Sequence, residues 1–244
     1  VSAPRPFAGV LAAGHGARFK AAGVRTPKAL VEVGGRALID RTLDAFAGAG
    51  FDAVTAVVND EAAPLVRSHL ALRAEAPACR IHVKTTASTL ETFSTLLGLA
   101  LEARAETFLL TTVDSVGAPG ELDRFARAAS STSTPLVLGI APAQENDDSP
   151  LRVELEESGL ARLGRGPYAT IGFYAGRTEE VARRARAALA QGVPSLRAFL
   201  TPASALSLVT GVLLGRTIDV DTPQDVAMAE RAIASEAAPR RGVS

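Results

Sequence analysis

The chain has 244 residues, 47% of them apolar, enough to bury the core of one large α/β domain or two small ones without disulfide or metal staples. Its 26 Lys and Arg balance 26 Asp and Glu, which excludes a global field drawing it to nucleic acid or to an anionic membrane and leaves charge effects local. A single cysteine, Cys79, cannot form an internal disulfide, and no run of about 18 apolar residues is present to span a bilayer.

Residues 1–6 are too short for a signal peptide and lead straight into structure, so a cytoplasmic protein is expected. A first strand at 8–12 gives way to a glycine loop, and an amphipathic helix at 37–49 ends in Gly48-Ala49-Gly50. Further strands are predicted at 53–58, 80–84, 107–113, 135–140, 152–156, 169–174 and 206–213. Helical periodicity falls between them at 62–75, 89–103, 120–129, 179–190, 196–200 and 223–235. This alternation predicts an α/β fold: a Rossmann-like three-layer sandwich with a mostly parallel mixed sheet, as one domain over 1–235 and a frayed tail over 236–244. Ser88-Thr89-Leu90-Glu91 has capping-box spacing, and Thr222 caps a helix with Pro223 at its first position, which gives Glu91 and Asp225 structural roles. Residues 141–150 form a polar break placed to lie over a site. In a parallel sheet the ligand edge is the carboxyl end of the strands.

The first strand runs into Leu11-Ala12-Ala13-Gly14-His15-Gly16-Ala17-Arg18-Phe19, and Pro27-Lys28-Ala29-Leu30 follows. Glycines there let backbone N–H groups approach a phosphate chain, and Arg18 and Lys28 can neutralise it. Lys28 is one of only three lysines, with Lys20 and Lys84, in a chain whose other basic residues are arginine. An ammonium is a compact point charge and a guanidinium a planar fork, so the choice matters at a phosphate. The loop lacks the third glycine of a dinucleotide fingerprint, which argues against a nicotinamide-dependent oxidoreductase, and it lacks the Gly-Lys-Ser/Thr of a Walker A loop. Taken alone, it is equally well read as a plain glycine turn.

Together with Val33-Gly34-Gly35-Arg36-Ala37-Leu38-Ile39-Asp40-Arg41, these segments resemble the N-terminal signature of the sugar-phosphate nucleotidyltransferase superfamily, which includes MobA-like and cytidylyltransferase-like members. The resemblance extends to about residue 234 and implies the fold of nucleotide-diphospho-sugar transferases. It implies that Gly14, Gly16, Arg18 and Lys28 hold a triphosphate, with Arg18 and Lys28 as the catalytic cations. An apolar strand ending at Asp114 matches the family's metal-binding aspartate, although in isolation such an Asp reads as a loop cap. The segment Asp219-Val220-Asp221-Thr222-Pro223 matches the second carboxylate. Strand alternation puts Asp219 and Asp221 on one face; the cytidylyltransferase-like pattern favours Asp221, while the hexose-phosphate pattern keeps Asp219 open. Mg²⁺ is the implied cofactor.

By the same resemblance the base is read by Leu11, Ala12 and Ala13 and by Thr85, Thr86 and Ser88, the last three being also explained as caps. The acceptor side falls to Gly172 and Tyr174 in Tyr168-Ala169-Thr170-Ile171-Gly172-Phe173-Tyr174, with Arg152, Arg162 or Arg165 for its phosphate. The Glu-Lys-Pro element of hexose-1-phosphate enzymes is missing. His15, His69 and His82 lack metal-ligand spacing and receive no catalytic role.

The expected activity is Mg²⁺-dependent transfer from a nucleoside triphosphate, CTP slightly favoured, to a sugar 1-phosphate or a similar phosphorylated polyol or alcohol, with release of pyrophosphate. The alternatives are a catalytically inactive nucleotide-binding regulator and a molybdopterin-type cofactor nucleotidyltransferase. The expected partners are a triphosphate and a phosphorylated small acceptor, with no nucleic acid and no membrane; a homodimer rests on family analogy alone.

Overall fold

The structure, a computed structural model, describes residues 5–85, 88–144, 150–215 and 217–237. The first strand, β1 (Phe7–Ala12), is apolar throughout because both its faces are covered. The loop that follows enters the short helix α1 (Ala17–Ala21) and a single 3₁₀ turn at Lys28–Leu30. A two-residue-per-arm hairpin, β2 (Glu32–Val33) with β3 (Arg36–Ala37), turns on Gly34 and Gly35, both at positive φ. Then come α2 (Leu38–Gly48), β4 (Ala53–Asn59), α3 (Ala63–Ala71), β5 (Ala78–Lys84), α4 (Thr89–Glu102) and β6 (Thr107–Thr112). The second half holds β7 (Ser115–Gly117), α5 (Glu121–Ser130), β8 (Leu136–Pro142), β9 (Arg152–Leu155), β10 (Ala161–Leu163) and β11 (Tyr168–Arg177). It closes with α6 (Thr178–Ala190), α7 (Leu196–Ala205), β12 (Val209–Leu213), β13 (Thr217–Asp219) and α8 (Pro223–Ala237).

Nine strands form one mixed sheet in the order β10-β9-β11-β6-β1-β4-β5, with β8 along the other side of β11 and β12 beyond β8. Only β10 and β11 run against the remaining strands, so the sheet is mostly parallel. Alternate residues feed two cores. Val10, Leu109 and Val137 point to α2, α5 and α8, where Leu43, Phe46, Phe125 and Ala229 are fully buried. Leu110, Leu136 and Leu138 point to the opposite layer, where Phe93 of α4 sits edge-on to Phe108 and Tyr174 at centroid distances of 6.0 and 5.7 Å. This is the expected three-layer sandwich.

The long elements fall where periodicity placed them. The short ones, α1, β2, β3, β7, β10 and β13, were not anticipated, since two to five residues carry no periodic signal. The helix expected at 62–75 stops at Ala71, and the one expected at 196–200 continues through Pro202 to Ala205. The strand expected from 206 begins at Val209, because Ser207, at φ +56°, still belongs to a turn. Helix α8 takes in Glu236 and Ala237, two residues of the expected tail. Of the polar break at 141–150, residues 145–149 lie outside the described residues, as does Thr86.

Beyond the carboxyl end of β6, strand β9 takes over as neighbour of β11, pairing with Tyr168 and Ala169 where β6 pairs with 173–177. Between these two stretches β11 bulges: Thr170 faces Ile140 and Tyr174 faces Leu138, so four steps on one strand meet two on the other. Gly172 lies in that bulge at φ +75°. The gap admits the turn after β6.

Candidate active site

The loop after β1 is held open by its neighbours. Gly16 adopts a left-handed conformation, and a β-carbon there would lie 3.3 Å from Lys28 Cβ, so the glycine lets the loop lie against that lysine. Asn59, buried at the end of β4, donates through Nδ2 to the carbonyls of Ala13 at 3.2 Å and Gly14 at 3.3 Å, while its Oδ1 accepts from Ala62 N at 2.8 Å. Outside the loop, Lys20 pairs with Glu61 at 2.7 Å.

The turn from β6 into β7 carries Asp114, and the antiparallel β7–β13 pair brings Asp219 opposite Ser115. Val220 N donates to Asp114 O at 3.0 Å, which fixes the segment holding Asp221 beside that turn. Asp225 Oδ2 then accepts from the backbone N–H groups of Asp221 and Thr222 and from the Thr222 hydroxyl, at 3.0, 2.7 and 2.8 Å. The structural role expected of Asp225 is thus that of a cap which also holds the backbone of Asp221.

These segments converge on Lys28. Its Nζ donates to Asp114 Oδ2 and to Asp221 Oδ1, and its side chain is 9% exposed. Arg18 Nη1 donates to the other oxygen of Asp221 at 3.0 Å. Burial disfavours the Lys28 ammonium, but the facing Asp114 and Asp221 carboxylates overcome that penalty and raise its pKa above the ordinary lysine range. Burial likewise opposes ionisation of Asp114, yet the Lys28 charge and hydrogen bonds from Lys28 and the Thr112 hydroxyl hold its carboxyl below the usual value. Asp219 goes the other way, to about 7, through desolvation and then the negative charge of Asp114. Asp219 is itself exposed and stands in the lining of the cavity that Lys28 and Asp114 share. Ser115 Oγ donates to it at 3.2 Å, and the Ser115 and Thr112 hydroxyls are 2.7 Å apart.

The cavity has a volume of about 300 Å³ and lies beyond the carboxyl ends of β1 and β6. Leu11, Ala13, Gly14, Lys28, Asp114 and Asp219 line it. Leu151, Thr170, Tyr174, Leu196, Arg197 and Leu200, from the second half of the chain, complete the lining. Burial pushes the Tyr174 phenol above its ordinary pKa, so it remains a neutral hydroxyl.

Of the expected site residues, Leu11, Ala13, Gly14, Lys28, Asp114, Asp219 and Tyr174 share this cavity, and Arg18 and Asp221 join it through their ion pairs. Ala12 is buried in β1, Thr85 lies on the surface after β5, and Ser88 Oγ accepts from Glu91 N at 3.3 Å as the cap of α4. Gly172 packs against Thr112 and Ser115. Arg152 begins β9, one residue past Leu151, and pairs with Ala169; the arginine lining the cavity is Arg197. Sequence reasoning missed Arg197, which is one arginine among many on a helix, and Asn59, whose Asn-Asp step at a strand end is a weak turn signal.

The donor set suits a hard cation. Asp114 and Asp221 aim oxygens at one point, already shared by an ammonium, and Mg²⁺ typically takes one or two carboxylates and leaves its other positions to water and phosphate. Among the described residues no group of three or more His, Cys, Asp or Glu is gathered to hold a metal by protein ligands alone. Nor is any described helix long and apolar enough to cross a membrane.

Residues 8–200 match the profile of the MobA-like NTP transferase domain. No curated protein matches the chain. Among solved structures, a putative glucose-1-phosphate thymidylyltransferase from Bacillus anthracis superimposes with a TM-score of 0.76 at 14% identity, over 93% of this chain and 95% of that one. The inositol-1-phosphate CTP transferase from T. maritima gives 0.73 at 18% identity, over 98% and 100%. At such identities the likeness is one of fold.

Proposed function

The chain belongs to the MobA-like NTP transferase domain family and is a nucleotidyltransferase, and from that premise we propose that it joins a nucleoside triphosphate to a phosphorylated polyol, sugar or alcohol with release of pyrophosphate. The observation that carries this reading is the convergence of Arg18, Lys28, Asp114 and Asp221, from three distant parts of the sequence, at the mouth of one cavity beside the glycine loop.

In the proposed reaction the triphosphate lies along Gly14 to Gly16. An oxygen of the acceptor phosphate attacks the α-phosphorus in line; the new P–O bond forms as the bond to the β-phosphate breaks, and pyrophosphate departs with that electron pair. Such a step needs no protein nucleophile, only alignment and neutralised charge. Lys28 and Arg18 exchange their carboxylate partners for phosphate oxygens and stabilise the leaving group. Asp114 and Asp221 would hold Mg²⁺, which when bound neutralises charge on the phosphates. Arg197 and Tyr174, which share that lining, orient the acceptor. CTP is the first triphosphate to test, because Asp-Val-Asp-Thr-Pro resembles the cytidylyltransferase pattern and one structural neighbour is a CTP transferase.

The test is pyrophosphate release with Mg²⁺, each ribonucleoside triphosphate and a panel of sugar 1-phosphates, inositol phosphate and phosphorylated alcohols, alongside Asp114→Ala. Acceptor-dependent release that the substitution abolishes is the expected result. Triphosphate binding without release from any acceptor would point instead to the inactive regulator.

A further inference from the structure

Lys28 already serves the two carboxylates as their cation. It touches Asp114 and Asp221 together, with only 9% of its side chain exposed, while Arg18 takes the remaining oxygen of Asp221 at 3.0 Å. In these ion pairs two carboxylates face two cations, and Asp219 stands beside them as a third acid. A bare divalent ion could enter only by sitting beside the buried ammonium, against repulsion that solvent screens poorly, or by expelling Lys28 with no anion offered in exchange.

A divalent ion chelated to a triphosphate meets neither obstacle. Its phosphate oxygens accept from Lys28 and Arg18 as the carboxylates turn to the metal, so every charge changes partner and none is left buried alone. The exchange is short in reach, because Lys28, Asp114 and Gly14 line the same cavity. Building on the function proposed above, we infer that Lys28 is an electrostatic gate: the site takes its divalent ion only as the metal–triphosphate chelate, and Lys28 excludes the free ion until phosphate arrives to receive the ammonium.

The experiment is a titration of the full chain with free Mn²⁺, followed by electron paramagnetic resonance, in wild type, Lys28→Met, Lys28→Gln and Lys28→Arg. Lys28→Met and the more polar Lys28→Gln, included in case the former does not fold, should bind free Mn²⁺ at least about tenfold more tightly than wild type, since one facing positive charge is gone. Lys28→Arg keeps the charge and should stay near wild type. Asp114→Asn added to either neutral variant should abolish the gain, placing the ion at this site. A calorimetric arm tests Mg²⁺ tripolyphosphate against wild type, with tripolyphosphate in EDTA as comparison; the chelate should bind more tightly. Equal free-ion affinity in wild type and the neutral variants overturns the gate. Failure of the chelate to bind, with the Mn²⁺ gain intact, overturns the triphosphate reading on which the proposal rests.

Discussion

Gly172 shows how much of the site depends on an absent side chain. At φ +75°, a β-carbon there would lie 2.2 Å from Thr112 Oγ1 and 2.5 Å from Ser115 Oγ, the two hydroxyls that bond to Asp114 and Asp219. Gly172→Ala combines the cost of a left-handed residue with an overlap that must move those hydroxyls, about 2–4 kcal/mol together. Urea unfolding should show that loss, and turnover should fall with it because both carboxylates lose their orientation. In the sequence this glycine reads as a point of close approach to the acceptor. The structure places the Thr112–Ser115 pair against it, and a glycine in a sequence announces that something comes near without saying what. Asn59 was less legible still, because a buried amide that ties a distant loop has no local signature. Asn59→Ala should leave Ala62 N unpaired and release the Ala13 and Gly14 carbonyls, at a cost of about 1–3 kcal/mol. Steady-state kinetics should show KM for the triphosphate rising more than kcat falls, since the loop binds and does not react.

Helix α4 offers a way to separate two roles for one residue. Ser88 accepts from Glu91 N at 3.3 Å, the capping geometry anticipated from Ser-x-x-Glu spacing, while the resemblance also places Ser88 near the base. Ser88→Ala should lower stability by about 1 kcal/mol. If capping is its whole role, the KM values of the four triphosphates keep their ratios; a change in those ratios would assign it to base recognition as well. Elements of this length were readable because ten or more residues repeat a 3.6-residue pattern, as in Leu90, Phe93, Leu97 and Ala100. The elements that set the carboxylates of the site are among the shortest in the described residues. Strands β7 and β13 have three residues each, yet their pairing sets Asp219 opposite Ser115 beside Asp114. No periodicity reveals such a pair, so the aspartates were found through family resemblance, and their neighbours Ser115 and Thr112 were not found at all.

Across the whole molecule, charge is balanced in total and uneven in place. The net formal charge is zero, but Asp114, Asp219 and Asp221 crowd one edge of the sheet against Lys28 and Arg18. That edge gathers residues 11–28, 112–115, 151, 170–174, 196–200 and 219–221, so the site is assembled from segments far apart in the sequence. Neutralisation is uneven within the cluster: Asp114 lies below the usual carboxylate range beside Lys28, and Asp219 is pushed up to about 7. A carboxyl with a raised folded-state pKa binds its proton more tightly than the unfolded chain does. Its contribution to stability is therefore present in full below the unfolded value of 3.8, declines as pH rises through the window to about 7, and is absent above it. Asp219→Asn removes the ionisation and with it that decline. In EDTA, thermal melts of the variant and wild type should be alike near pH 4, and the variant should melt higher at pH 8. The gain should be no more than about 1 kcal/mol, because Asp219 is exposed and solvent weakens both its desolvation and the repulsion from Asp114. Wild type should recover part of the difference when Mg²⁺ and triphosphate are added together, since only then does the cluster gain a positive charge that remains near Asp219. A variant less stable than wild type at pH 8 would mean that the Ser115 hydrogen bond to the carboxylate outweighs the repulsion it sits beside.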